Sequence, residues 1–285
     1  MEKKIVLKVN DSNKLIDILG IKLKDLSNKS IKNYIKNDMV FVNNKIEHNP
    51  NRLLDINDEI IFYFNKEEQI NFDIIYEDND IIVVNKPNGL LTIGNNKERE
   101  RTLFRLVSNY VKRQSKNNKI FVVHRLDEET SGIVLFAKNE YIKNYLYTNW
   151  NNIVKVREYI CIIPGKVDNN GTIESFLDYD HNQIGHSVKY KTNNYAVSNY
   201  SLIDYKNNLS LVRVLISTGK RNQIRIHMKE NFRPIIGDKK YRSYYNPINR
   251  LCLHAKRLVL IYNKKEIEFD SNIPNCFIEL MNKGL

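Results

Sequence analysis

The sequence predicts an α+β fold. Three observations lead there. Strand-like runs bounded by turn residues dominate the chain, only a few segments carry helical periodicity, and no internal repeat or low-complexity linker is visible. With 285 residues, 42% of them hydrophobic, the chain is long enough for one large domain plus a small one with a sizeable core.

The first 65 or so residues read as a unit of their own. IVLKV alternates like a short strand. Leu15, Ile18 and Leu19 then recur at helical spacing, and so do Ile31, Tyr34 and Ile35. Ser27 and Asn28 sit where a turn or cap should precede the second helix. MVFVNNKIEHNP reads as a strand, an Asn-Asn turn and the start of another strand. In LLDINDEIIFYF, Asp58 and Glu59 precede a strongly apolar strand. Two helices followed by these strand and turn segments resemble the S4 family of small RNA-binding modules. The resemblance implies that Lys22, Lys24, Lys29, Lys32 and Lys36 track RNA phosphates. The plainer alternative is a solvated helix face.

KEEQINFDI is a polar break and places the domain boundary near residues 66–71, giving domains of 1–66 and 71–285. FDIIYED and DIIVVNKP read as strands, and NKPNGLLTI turns on Pro87 and Gly89. RTLFRLVSNYVKRQSK reads as a helix with Leu103, Leu106, Val107, Tyr110 and Val111 on one face and basic residues on the other. KIFVV is an almost fully apolar strand, GIVLFAKN another, and YIKNYLYTNW a helix. Strands follow in EYICIIPGKV, NYSLIDY, LSLVRVLIS and LCLHAKRLVLIY.

Composition narrows the class. Mean hydropathy is −0.49 and 27% of residues are charged, as in a soluble protein. No stretch approaches the roughly 18 apolar residues of a membrane span, and no apolar segment follows the first lysines as in a signal peptide. Cys161, Cys252 and Cys276 are far apart and form no metal or disulfide pattern, so a reduced cytoplasm is the simplest location. The formal net charge of +12 favours polyanionic partners, nucleic acid first and acidic membrane surfaces second. The abundance of Asn, Lys, Ile and Tyr also fits an A/T-rich coding sequence, which raises lysine without function.

The most informative stretch is VVHRLDEETSG, Val122 to Gly132. It packs five charged or ionisable side chains into the six positions His124 to Glu129, directly after an apolar run. Thr130 and Ser131 can hydrogen-bond the local backbone, and Gly132 can adopt conformations closed to other residues. A loop fixed in this way can aim a carboxylate. Glu128 and Glu129 suggest a glycosidase-like acid pair. Sequence neighbours rarely face each other, however, so both are expected to be solvated.

HRLDEETSG resembles the signature of the RluA-type family of RNA pseudouridine synthases. NKPNGL (Asn85 to Leu90), STGKRNQIRIHM with Thr218, Gly219, Gln223, Arg225 and His227, and then PIIGDKKY and LCLHAKRL resemble further segments of that family in the expected order. The resemblance spans about residues 70–270. It implies the pseudouridine synthase fold, with a central mixed, mostly antiparallel sheet, and isomerisation of uridine in structured RNA without a cofactor or metal. Asp127 would be the nucleophile or base. Arg225 would be the cation that keeps it ionised. Tyr159, in Arg157-Glu158-Tyr159 where the family often has Lys-x-Tyr, would pack beneath the uracil and handle the C5 proton. The bland alternatives are a surface arginine on a strand for Arg225 and a core aromatic for Tyr159. The planar guanidinium of Arg125 suits filling the gap left by a flipped base. Substrate contacts are further expected from His124, Thr130, Ser131, Gly132, Gln223 and Leu253. His124 is expected to orient the loop rather than titrate, and His227 and His254 to be structural.

The chain departs from the family pattern Thr-Gly-Arg-x-His-Gln-Ile-Arg at two places: Lys220 replaces Arg and Asn222 replaces His. Lys keeps the charge without the bidentate fork. Asn keeps a hydrogen bond but cannot titrate. Large-subunit ribosomal RNA is the favoured substrate by resemblance to S4-bearing members, with transfer RNA as the rival, and a monomer is expected. A non-catalytic RNA-binding protein on the same fold is disfavoured by the intact Asp127, Tyr159 and Arg225. A zinc deaminase would need H-x-E and P-C-x-x-C, and the sequence has neither.

Overall fold

The computed structural model describes residues 4–23, 26–63, 72–95, 98 and 101–285. The chain divides into two compact units, Met1–Ile70 and Asn71–Leu285.

In the first unit, β1 (Lys4–Lys8), β2 (Asn13–Lys14), α1 (Leu15–Lys22), α2 (Asn28–Lys36), β3 (Val40–Val42), β4 (Lys45–Ile46), β5 (Leu53–Leu54) and β6 (Glu59–Tyr63) follow in order. Four strands form a sheet in the order β1-β6-β3-β4, and β2 pairs with β5. Helix α1 buries Leu15, Ile16 and Leu19, while Ile18 is only partly covered. Helix α2 begins at Ser27, whose hydroxyl accepts from the Ser30 amide and satisfies one otherwise unpaired donor. Its Ile31 and Ile35 enter the core, and Lys29, Lys32 and Lys36 lie on the exposed side. Lys22 is also exposed, and Lys24 lies outside the described residues. Asn43 and Asn44, both with left-handed backbone (φ 50° and 63°), make the tight turn between β3 and β4.

The second unit holds β7 (Asp73–Glu77), β8 (Ile81–Lys86), α3 (Leu103–Gln114), β9 (Phe121–Val122), β10 (Ser131–Ala137), α4 (Glu140–Ile153), β11 (Val154–Pro164), β12 (Asn170–Tyr179), β13 (Gly185–Val188), β14 (Tyr195–Lys206), β15 (Leu209–Ile216), α5 (Gln223–Asn231), β16 (Leu253–Tyr262), β17 (Lys265–Asp270) and α6 (Asn275–Lys283). Among the described residues these strands form one eleven-stranded sheet, β13-β12-β14-β15-β11-β16-β10-β8-β7, with β17 on β16 and β9 on β10. Among the described strands only β10 and β16 pair in parallel, so the sheet is mixed and mostly antiparallel as the resemblance implies. One core packs α5 and α6 on β11, β15 and β16. Another packs α4 on β8, β10 and β16. Among the described residues no helix is long and apolar enough to cross a membrane.

The structure departs from or adds to the sequence reading at several places, β12, β13 and β17 among them. KIFVV pairs over only Phe121 and Val122, because the His124 imidazole takes over as acceptor for the next amide of β10, that of Leu135 (3.0 Å). The segment after Gly219, to which the sequence reading assigned no element, is a helix, α5, and Arg225 is buried in it (3% exposed), against the alternative of a surface arginine on a strand. Helix α6 has no counterpart in that reading; it covers the sheet with Phe277, Leu280 and Met281.

Candidate active site

The loop from Val123 to Thr130 leaves β9 and turns back into β10. Val123 and Leu126 are buried and anchor it on the apolar side. The Thr130 amide donates to the Asp127 carbonyl (3.1 Å), which closes a tight turn around the acidic residues. Where β10 begins, Gly132 (φ 115°) packs against β16 so closely that a Cβ would stand 2.2 Å from the Ala255 carbonyl oxygen. Any side chain here would push the strand, and the loop with it, off β16.

A second segment grips the loop through its main chain. Lys86 is fully buried and donates to three carbonyls, those of Pro87 (3.0 Å), Leu90 (2.7 Å) and Glu128 (2.9 Å). Burial pushes this ammonium down to about 7, against the pull of Asp127 and Glu128. Three carbonyl acceptors match the three N–H groups of the charged form, and a neutral amine could serve only two. The Gly89 amide donates to the Glu128 carbonyl (3.0 Å) and Asn88 to that of Glu129. The Thr92 hydroxyl donates to the Leu126 carbonyl (2.8 Å) and accepts from its amide (3.2 Å). The NKPNGL segment therefore holds the motif backbone from beneath.

Asp127 is thereby presented, half-buried, at a cavity of about 860 Å3 whose lining includes Arg125, Tyr159, Arg225 and Leu253. Arg225 Nη1 stands 3.7 Å from Asp127 Oδ2. Its remaining donors go elsewhere. Nε and Nη2 form a two-point pair with the fully buried Asp238 (2.8 and 2.7 Å), and Nη2 also reaches Glu129 Oε2 (2.8 Å). Despite its burial the guanidinium stays charged, its pKa raised by Asp238, Asp127 and Glu129 against desolvation. Glu129 is thus not a solvated bystander; it is an ion-pair partner of Arg225, while Glu128 is exposed as expected.

Tyr159 lies on β11 opposite Ala255 of β16, and it lines the cavity together with Leu253, the first residue of that strand. Its phenol is pushed up to about 12, chiefly by burial and further by Asp127, with Arg157 opposing. It is therefore a neutral phenol at physiological pH. Strand alternation sends the intervening Glu158 to the other face, where it pairs with Arg257 (2.9 Å) and Arg213 (3.5 Å). Arg157 also lines the cavity and donates to the Ser217 carbonyl (2.6 Å).

Other expected substrate contacts are committed elsewhere. His124 borders the cavity, but its Nε2 accepts from Leu135, its ring lies 4.9 Å from that of Trp150, and burial pushes it down to about 4. Thr130 lines the cavity but is buried. Ser131 and Gly132 do not face the cavity: the Ser131 hydroxyl pairs with His254 Nδ1 (2.9 Å) and accepts from Arg250 (2.7 Å). Gln223 borders the cavity, yet its amide is spent internally. Its oxygen accepts from Thr218 (2.8 Å) and the Lys220 amide (3.0 Å), and its nitrogen donates to the Val197 carbonyl (2.9 Å) and Ser198 (3.0 Å). It braces the turn into α5. His227 and His254 are likewise buried and structural.

Sequence reasoning missed Asp238 and Lys86 as supports of the site. Both lie inside segments whose resemblance was noted, PIIGDKKY and NKPNGL, but only a buried guanidinium and a row of carbonyls reveal what they do.

A carboxylate held beside a buried cation, facing a neutral phenol and a leucine across a space of this size, suits a flat polar ring held against an acid. The model of the RNA pseudouridylate synthase family matches residues 80–230. Ribosomal large subunit pseudouridine synthase D of Buchnera aphidicola subsp. Acyrthosiphon pisum is 27% identical over 296 residues, covering 95% of each chain. The protein of the same name from Borreliella burgdorferi is 32% identical over 240 residues, covering 78% of this chain and 74% of its own. Among solved structures, human RNA pseudouridylate synthase domain containing 4 shares the fold at a TM-score of 0.59 and 20% identity, over 73% of this chain and 91% of that one.

Proposed function

Since the chain belongs to the RNA pseudouridylate synthase family, of the RluA type, and is an enzyme that isomerises uridine in RNA, we propose that Asp127 starts that isomerisation on large-subunit ribosomal RNA. The observation that carries the role of Asp127 is its half-buried carboxylate at the cavity, 3.7 Å from a guanidinium that burial cannot neutralise. The ribosomal substrate rests on the names of the relatives.

In this reaction the N1–C1′ bond breaks, the uracil turns, and C5 bonds to C1′. The C5 proton is lost and N1 gains one, so atoms balance without oxidant, water or cofactor. The carboxylate acts as nucleophile or base in its charged form, and Arg225 sets a positive charge 3.7 Å from it. Tyr159, protonated, packs against the uracil ring and offers an O–H rather than a phenolate. A uridine within structured RNA must leave its stack, at a cost of about a few kcal/mol. Arg125, exposed at the rim, is suited to occupy the gap.

Asp127→Asn is expected to lower pseudouridine formation by about 10^4-fold or more while RNA affinity persists. Undiminished product from that variant would refute the role. Mapping pseudouridine in ribosomal and transfer RNA, with and without the gene, tests the substrate. Sites lost only from transfer RNA would refute the ribosomal reading.

The first unit is proposed to act as an S4-like module. Its exposed Lys29, Lys32 and Lys36 on one side of α2, with Lys22 at the end of α1, support phosphate contacts. Replacing Lys29, Lys32 and Lys36 with Gln in the full chain is expected to reduce the slope of log affinity against log salt by about 2–3. An unchanged slope rejects the module's role.

A further inference from the structure

Asn222 stands where the family pattern has His, and its surroundings give the substitution a purpose. It is 8% exposed and has left-handed backbone (φ 53°, ψ 18°), a conformation Asn tolerates better than most residues. Its carbonyl accepts from the Ile226 amide (3.0 Å), so it caps α5 through the main chain and leaves the side chain for other work.

The chemistry of its neighbours fixes how the amide points. One terminal atom lies 2.7 Å from the Lys240 ammonium, a pure donor, and must be the oxygen. The other lies 2.8 Å from Asp127 Oδ2, a pure acceptor, and must be the NH2. The Tyr241 hydroxyl, 3.3 Å from the oxygen, suits the same orientation. The reverse would set NH2 against ammonium and carbonyl against carboxylate. Lys240 is itself held: Nζ donates to the Gln183 carbonyl (2.7 Å), and Arg221 holds the Gln183 side chain (2.6 Å).

We infer that Asn222 is the positioning residue of Asp127, and that Lys240 sets the direction in which its amide donates. This rests on Asp127 being the reactive carboxylate. Arg225 is 3.7 Å from Oδ2 and hydrogen-bonds Asp238 and Glu129, so it supplies charge. The amide, nearly 1 Å closer, supplies direction.

The test uses the full-length enzyme with four substitutions: Asn222→Asp, nearly the same shape without the donor; Asn222→Gly, which keeps the left-handed backbone; Asn222→His, which restores a donor; and Lys240→Met. With folding verified by thermal melts, Asn222→Asp and Asn222→Gly should each lower kcat by about 100-fold with KM within about twofold. Asn222→His should recover most of that loss. Lys240→Met should lower kcat by a smaller factor, since the amide loses its orienting cation. A folded Asn222→Asp or Asn222→Gly enzyme with wild-type kcat, or one whose defect lies in KM alone, overturns the inference. If Asp127→Asn is active, the role of Asp127 fails; if Asp127→Asn is dead and Asn222→Asp is not, only the positioning role fails.

Discussion

Arg225 gathers three acids, and its contacts are unequal. Asp238 is fully buried and paired at two points, whereas Glu129 and Asp127 are each about a third exposed. Removing one partner of a buried pair leaves an uncompensated charge and costs about 3–5 kcal/mol, while pairs open to solvent contribute about 0–1 kcal/mol. Asp238→Asn should therefore destabilise the second unit by several kcal/mol in urea unfolding, and Glu129→Gln by about 1 kcal/mol or less. Equal losses from the two would contradict this ranking. The candidates Asp127, Arg225 and Tyr159 were legible from motif resemblance, and the structure brings all three to one cavity. Asp238 was not: a buried guanidinium demands an acid, but nothing local marks which of the chain's 33 acidic residues lies beside it once folded. Glu129 misled in the other direction: its adjacency to Glu128 argued against paired work and left it solvated, yet the tight turn lets it and Asp127 reach the same cation.

At the scale of elements, amphipathic helices were readable and a uniformly buried one was not. Helices α2 and α3 show a buried and an exposed face, which periodicity detects. In α5, Gln223 to Met228 are all buried, so there is no polar stripe to find, and Gln-Ile-Arg-Ile-His alternates as a strand would. The support of the motif loop by its neighbouring segment was hidden for a related reason: it runs through backbone carbonyls, which carry no residue signature. Lys86→Met should expose that dependence. It keeps the length and volume of the stem but leaves three buried carbonyls without their donor, at about 1–3 kcal/mol each if none finds another. A loss of about 3–5 kcal/mol in unfolding free energy is expected. Accelerated amide exchange at Gly89 and Thr130 should accompany it, since their bonds tie the same turn. A variant as stable as the parent, with unchanged exchange at those amides, would show that the clamp is not what holds the loop.

Across the whole molecule, buried histidines couple stability to pH. His227 and His254 are both pushed down to about 4, chiefly by burial. In the unfolded chain they titrate near 6.5, so between about pH 6.5 and 4 the unfolded state binds protons that the folded state refuses. Stability present above pH 6.5 is therefore lost as pH falls towards 4, by about 2 kcal/mol per histidine at pH 5. The lowered carboxylates, Glu47 and Glu77 among them, act in the same direction but only near and below the ordinary glutamate value of 4.5, so a decline beginning above pH 5 belongs to the histidines. The local chemistry favours this. His227 sits between the Ser198 and Ser175 hydroxyls (2.9 and 3.1 Å), which serve a neutral ring, and His254 shares the Ser131 hydroxyl with the Arg250 guanidinium. Protonating His254 would set two cations on one oxygen at the residue where the Asp127 loop enters β10. Urea midpoints measured from pH 7.5 to 4.5 should fall steadily below about pH 6.5, and His227→Gln should flatten part of that fall while lowering stability at pH 7.5. A midpoint constant down to pH 5 would mean that these rings accept protons in place, and the link between the buried network and the loop would fail with it.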